Sequence, residues 1–400
     1  MWNRLFDRFL RHLIRLGSLT VTMPDGTTRR YGPGGEGPPA IAIALTGDDT
    51  VQRLVRDPHL ALGEAYMDGH LTIEGDDLHG FLELVLRNLD TGDDGAFSAV
   101  QRGLRKLMRG ITQKNPARRS KSNVAHHYDL SAALYDLFLD ADRQYSCAYF
   151  KSPEDTLEQA QAQKKAHIAG KLCLKPGMKV LDIGCGWGGM GLTLARDYGA
   201  EVLGVTLSEE QLKIARARAE AAGLADRVRF ELTDYRAVTG QFDRIVSVGM
   251  FEHVGAPQFR TYFNTVRRLL SPDGVALIHT IGRVSPPGTT NPWMVKYIFP
   301  GGYIPALSEV MAAVEQERLY PTDIEVWRLH YAMTLRHWHD RFMAHRDAAA
   351  ALYDERFVRM WKFYLAASEQ TFRHWGNCVF QLQLARDQRA VPLTRDYLYP

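Results

Sequence analysis

The sequence is poor in cysteine, with four in 400 residues, at 147, 173, 185 and 378. Their separations fit neither a metal-ligand pattern nor a disulfide framework, which points to a reducing, cytoplasmic compartment. No unbroken run of about 20 apolar residues occurs, so a membrane-spanning helix is not expected. Arginines interrupt the apolar positions at the N-terminus, so a signal peptide is not expected either. Charge of one sign is equally scarce. A net charge of +3 gives no ground for a nucleic-acid partner. The remaining composition, 45% apolar and 24% charged, is that of a globular protein. The length suits two domains better than one.

The stretch around which the chain is organised is Val180-Leu-Asp-Ile-Gly-Cys-Gly-Trp-Gly-Gly189. Its start reads as a short strand buried on both faces, followed by a glycine turn and a helix to about Arg196. Glycine permits the sharp turn and a close approach to a ligand, and the helix start offers free N–H groups to the same crevice. A dinucleotide fingerprint needs G-x-G-x-x-G. Here the glycines run G-x-G-x-G-G, with Asp182 just before them. This pattern resembles motif I of the S-adenosylmethionine (SAM) methyltransferases. It implies that Asp182, Gly184, Gly186, Trp187 and Gly188 hold that cofactor.

Downstream, apolar strands at 201–206, 228–232, 242–248 and 275–280 alternate with helices at 208–222 and 258–270, and Ser271-Pro-Asp-Gly274 reads as a turn. Such alternation predicts an α/β fold with a doubly wound, Rossmann-like parallel sheet, and with the glycine motif it resembles the class I SAM-methyltransferase fold. Ligands of such sheets sit outside the C-terminal strand ends. Thr206, Ser208, Asp234 and Tyr235 all fall there. Thr206 stands where methyltransferases at large carry an acid for the ribose; its hydroxyl offers one neutral contact. Ser208 also fits a helix N-cap. Gln211 lies one turn further on. Asp234 suits an adenine amino group, and Tyr235 a stacking partner.

Before the glycine turn the chain reads as a smaller α+β domain, 1–115, then a basic linker, 116–122. The catalytic domain is expected over 123–400. In the first domain a hairpin spans 18–31, and a strand at 41–45 precedes helices near 48–57, 58–68 and 76–90; a basic helix is expected at 101–109. Residues 2–16 carry Trp2, Leu5, Phe6, Phe9, Leu10, Leu13 and Ile14 at helical spacing, with Arg4, Arg8, Arg11 and Arg15 between them. This basic amphipathic helix fits an anionic membrane surface or a packed face of its own domain.

More specific are Ala125-His-His-Tyr-Asp-Leu, Tyr145-Ser-Cys-Ala-Tyr149, Val205-Thr-Leu-Ser208, Ser247-Val-Gly-Met-Phe-Glu-His-Val254, Leu277-Ile-His-Thr-Ile-Gly282 and Tyr297-Ile-Phe-Pro-Gly-Gly302. Together they resemble the cyclopropane fatty acid synthases over about 122–385. The resemblance implies that Tyr145, Ser146 and Leu207 join the SAM-binding set. It implies transfer of the SAM methyl carbon to a cis double bond of an unsaturated acyl chain in a phospholipid. The resulting carbocation then loses a proton to a bound bicarbonate and closes a three-membered ring. Cys147, Glu252, His279, Tyr331 and the Ile281 backbone would cradle that anion. A cavity leading from the glycine turn to residues 252, 279 and 331 is required. Peripheral membrane association and a homodimer are implied too. Ser368 departs from the family, in which many members carry a second cysteine; alkene attack on a methyl needs no enzyme nucleophile. A related lipid methyltransferase giving a methyl-branched or methylene product shares the first step and is the nearest rival.

Overall fold

The computed structural model describes residues 1–34, 40–89 and 131–398. They fall into two compact units, each built from separated stretches of chain. The first takes 1–89, Thr290–Phe299 and Ala332–Asn377; the second takes 131–289, Pro300–Tyr331 and the chain from Cys378 on. The expected continuous 123–400 domain is therefore interrupted twice. Amphipathic helices choose partners by apolar face rather than by sequence position, and the helix Glu355–His374 packs on Leu78–Leu89 and Pro58–Met67. The basic linker, the helix expected at 101–109 and the Ala125–Leu130 motif lie outside the described residues.

In the first unit a four-stranded sheet runs in the order β2-β1-β3-β4, with β1 Ser18–Thr22, β2 Thr28–Tyr31, β3 Ala40–Leu45 and β4 Leu71–Ile73. The β1–β2 hairpin turns through Pro24-Asp25-Gly26, where Gly26 takes φ +80°. Strand β3 alternates as a half-buried strand should: Ile41, Ile43 and Leu45 are buried, and the alanines between them are not. A Cβ at Gly63 would collide with the Trp293 indole, so only glycine lets the helix Pro58–Met67 and the helix Pro292–Tyr297 approach there. The N-terminal helix Trp2–Leu13 divides its apolar face. Phe6 and Leu10 are buried on the unit, while Leu5 (42%) and Phe9 (41%) are exposed.

The second unit holds a seven-stranded sheet, β10-β11-β9-β8-β5-β6-β7. Its strands are β5 Lys179–Ile183, β6 Glu201–Thr206, β7 Val228–Leu232, β8 Phe242–Val248, β9 Leu270–Arg283, β10 Tyr320–Trp327 and β11 Asn377–Ala385. Strands β5 to β9 pair in parallel. Strand β5 lies between β6 and β8, so the winding reverses there and a crevice opens at its C-terminal end. The run Ser271–Gly274 is no free turn. It is a bulge inside β9, where pairing jumps from Phe242↔Leu270 to Arg244↔Val275. Trp327 ends strand β10, and Trp338 lies in the next helix, His330–Ala344. No helix among the described residues is long and apolar enough to cross a membrane.

Candidate cofactor cleft and catalytic site

The crevice at the end of β5 is a cleft of about 1180 Å³, counted to its open mouth. Gly184, Gly186 and Gly188 take φ +80°, +53° and +85°, the left-handed region that excludes most side chains. Added methyls at Gly184 and Gly188 would strike Met250 and Phe230. Of the residues expected to hold SAM, Tyr145, Ser146, Asp182, Gly184, Gly186, Trp187, Thr206, Leu207, Gln211, Asp234 and Tyr235 line the cleft. Gly188 and Ser208 do not; they act one step back. Gly188 precedes the helix Gly189–Tyr198 in the left-handed conformation, and Ser208 Oγ caps the helix Glu209–Ala221 by accepting from Gln211 N–H at 3.2 Å.

The cleft's polar groups are arranged to receive donors and acceptors. The Thr206 hydroxyl donates to Gln211 Oε1 at 3.0 Å, which leaves the Gln211 amide N–H groups for another acceptor. Asp182 is 2% exposed, and its Oδ2 has no hydrogen-bond partner within the protein. Burial pushes its pKa up to about 7. A buried carboxylate oxygen without a partner, aimed into a cleft, is an acceptor awaiting a cationic or hydroxyl donor. Asp234 is already engaged: its carboxylate accepts from Arg236 Nε at 2.8 Å, Nη2 at 2.6 Å and the backbone N–H at 3.0 Å. His253 also lines the cleft, and burial lowers its pKa to about 4, so no imidazolium competes with a cationic ligand.

None of the five expected catalytic residues lines this cleft, whose lining includes Met250, His253 and Val254 on either side of Glu252, so the cleft does not extend to residues 252, 279 and 331 as the expected continuous cavity requires. Glu252 Oε1 accepts from the Ile281 N–H at 2.7 Å, and Oε2 is shut from solvent without a partner. Burial raises its pKa to about 7 against the opposing pull of the Ile281 N–H, of its own backbone N–H and of the Thr280 hydroxyl. Ile281 thus serves Glu252 directly. His279 sits on β9 and accepts at Nδ1 from Gln381 Nε2 at 3.1 Å, which places its ring proton on Nε2. Burial, first, and nearby lysines hold its pKa well below the ordinary histidine value, so the ring is neutral. Its edge meets Trp327 at 5.1 Å. Cys147 is fully buried, and its thiol donates to the Ala148 carbonyl at 3.3 Å. Tyr331, 8% exposed, is the second residue of the helix His330–Ala344.

A family model described as mycolic acid cyclopropane synthetase matches residues 115–382. The chain belongs to that family. The mycolic acid cyclopropane synthetase fold is the class I SAM-methyltransferase fold, seen also at 19% identity and TM-score 0.67 in coclaurine N-methyltransferase, which covers 81% of this chain and 98% of its own. A cyclopropane-fatty-acyl-phospholipid synthase from Escherichia coli is 41% identical over 345 residues, 86% of this chain and 87% of its own. A probable fatty acid methyltransferase from Pseudomonas putida is 36% identical over 95% of this chain and 96% of its own. The solved cyclopropane synthase MmaA2 from Mycobacterium tuberculosis superposes with TM-score 0.64 at 32% identity, covering 68% of this chain and 99% of its own. Residues 5–91 match a second model, a domain of unknown function.

Sequence reasoning passed over several residues that stand at or beside the site. Gln144 and Gln258 line the cleft, and Gln258 Oε1 is buried without a partner. Gln381 fixes the His279 tautomer from β11. Lys164 is fully buried beneath Ser146. Two glutamines, Gln381 and Gln383, alternating with apolar residues in the run Asn377-Cys-Val-Phe-Gln-Leu-Gln-Leu-Ala385, are the one signal in the sequence that marks Gln381. Among the described residues no cluster of His, Cys, Asp and Glu suits a metal ion.

Proposed function

We propose that this enzyme cyclopropanates the cis double bond of an unsaturated acyl chain carried by a phospholipid, with bicarbonate as the final base. The observation that carries the reading is the pair Glu252 and His279 beside the cofactor cleft. One presents a carboxylate oxygen without a partner and the other a neutral ring with its proton on Nε2. An acceptor and a donor of this kind suit a small anion that carries both an O–H and a negative charge.

SAM, when bound, supplies an electrophilic methyl on a sulfonium. The chain's residues do the rest. The glycine turn and the orphan Asp182 oxygen fit the cofactor, with Thr206 and Gln211 as further polar partners and Tyr145, Trp187 and Tyr235 as ring contacts. A neutral His253 adds no positive charge to a region that must tolerate a carbocation. Ring faces stabilise such a cation, and dry walls protect it from capture by water. His279 Nε2–H and Glu252 Oε2 would hold the bicarbonate, which supplies the base for the proton released on ring closure. Cys147 and Tyr331 complete the cradle in this reading.

Purified protein given SAM and liposomes of unsaturated phospholipid should yield lipid heavier by one CH2, with the double bond lost and no reductant added. A saturated methyl branch needs a reductant, so a product formed only with one present would sink the ring-closing assignment in favour of the methyl-branching one. Light scattering on the same sample reads the homodimer that the family resemblance implies.

The exposed half of the N-terminal helix suits an anionic lipid surface, in keeping with a peripheral cytoplasmic enzyme. Leu5 and Phe9 face outward among exposed Arg4, Arg8 and Arg11. Deleting the helix would also remove Phe6 and Leu10 from the core, so point changes make the cleaner test. Leu5→Asp with Phe9→Asp should weaken binding to anionic vesicles by on the order of 100-fold, the loss of about 3 kcal/mol of apolar burial. The unfolding temperature should stay where it was. Unchanged sedimentation with vesicles would remove the membrane role.

A further inference from the structure

One wall of the cofactor cleft, residues 143–146, is held by a single turn of the helix Leu157–Lys171. Gln161 Nε2 donates to the carbonyls of Gln144 at 3.2 Å and Ser146 at 3.0 Å. Lys164 Nζ donates to Gln144 Oε1 at 2.8 Å and Ser146 Oγ at 2.7 Å. Lys164 is 0% exposed. Clamping a loop does not require a charge, as Gln161 shows in the same turn. A buried ammonium facing two neutral oxygens is poorly compensated and costly to keep.

The nearby carboxylates do not discharge that cost. Asp142 is paired with Lys165 at 2.5 Å and with Arg218. Asp140 accepts the backbone N–H groups of Gln144 at 2.8 Å and Asp142 at 3.1 Å. Desolvation, partly offset by Asp140, brings the Lys164 pKa down to about 7. The lysine's charge is also felt at Cys147 and at His279, two members of the proposed cradle. Ser146, which the lysine holds, is the neighbour of Cys147.

A bicarbonate placed between Glu252 and a neutral His279 would meet a second negative group, and of the two buried lysines near His279 the other, Lys171, is already paired with Asp323 at 3.2 Å and Glu325 at 2.5 Å. Once the methyl has been transferred, the cofactor's charge has passed to the substrate carbon and disappears on ring closure, so no charge on the cofactor stays to face the anion. We propose that Lys164 is the positioning residue that supplies the anion site with its positive charge, from beneath Ser146 and Cys147. This rests on the bicarbonate reading of the cradle. It predicts that charge at position 164, and not hydrogen bonding alone, sets how well the anion is held.

The test is turnover against bicarbonate concentration, with buffers first stripped of carbon dioxide, in the parent and in Lys164→Gln and Lys164→Arg. SAM affinity is measured separately by calorimetry. Lys164→Gln keeps a donor for Ser146 and loses the charge. It should keep the SAM dissociation constant within about threefold while raising the half-saturating bicarbonate concentration roughly tenfold or more, the scale of one charge–charge attraction acting through a partly buried site. Lys164→Arg should stay nearer the parent. A parental bicarbonate curve in Lys164→Gln overturns the proposal, as does weakened SAM binding with an unmoved curve, which would make Lys164 a loop clamp only. If Lys164→Gln fails to fold, Lys164→Arg decides: a tenfold rise with the charge retained also overturns it. A parent enzyme indifferent to bicarbonate refutes the cradle's base itself, and that result is read before any variant.

Discussion

Glu252→Gln should bind SAM within about threefold of the parent and turn over about 10²- to 10⁴-fold more slowly, the range for loss of a general acid–base partner. The variant is nearly isosteric. Its amide oxygen can still accept from the Ile281 N–H, so the short helix Phe251–His253 keeps its tie to β9. What changes is the other position, where a carboxylate oxygen without a partner becomes an N–H donor. A donor there cannot receive the O–H of an anion. Single-turnover assays with labelled SAM read the loss, and a variant as active as the parent would overturn the cradle assignment. A stability signature accompanies it. The Glu252 carboxyl holds its proton to about pH 7 in the fold, against an ordinary value of 4.5. Between those values the folded state carries more protons than the unfolded one, so this residue's contribution to stability falls as pH rises. Glu252→Gln should therefore gain thermal stability over the parent at pH 8, and the gain should shrink as pH falls toward 4.5.

Asp182→Asn should weaken SAM binding by about 10- to 100-fold, the loss of one buried charge-assisted hydrogen bond. The parent should show a matching pH dependence. Burial lifts the Asp182 pKa to about 7, so below that pH the empty cleft holds a neutral acid. A cationic ligand favours the ionised form, and binding must then release a proton. Affinity should fall by up to about tenfold per pH unit below pH 7 and level off above it. Calorimetry in two buffers of different ionisation enthalpy counts the proton. A flat affinity between pH 5.5 and 7 would show that Asp182 does not face the cofactor's charge. Asp182→Asn should abolish both the slope and the proton release.

Much of this architecture was legible from residues alone. Strands β6, β7 and β8 have the bounds their residue patterns suggest: β6 and β8 are inner strands rich in buried apolar residues, and β7, at the sheet edge, buries Val228 and Phe230 while Arg229 between them faces out. The cleft was legible for the same reason: glycines at a strand end, with polar residues at the ends of the neighbouring strands, converge wherever a doubly wound sheet reverses. The cradle came only from family resemblance, since His279 in an apolar strand and Cys147 in a short motif have no local pattern of their own. Lys164 was illegible because Gln-Ala-Gln-Lys-Lys-Ala reads as a solvated helix face; only tertiary packing closes over it. The Ser271–Gly274 bulge shows the converse limit, in which correct turn chemistry is absorbed into a longer strand.

The first unit is finished only by residues that arrive late. Its core includes Trp293 and Trp361, from segments that follow most of the methyltransferase sheet along the chain. During synthesis the leading 89 residues must wait with part of their greasy surface uncovered until about residue 377 has left the ribosome. A gene fragment encoding the leading stretch alone should aggregate, and a chaperone that shelters nascent chains has here a client for nearly the whole of translation.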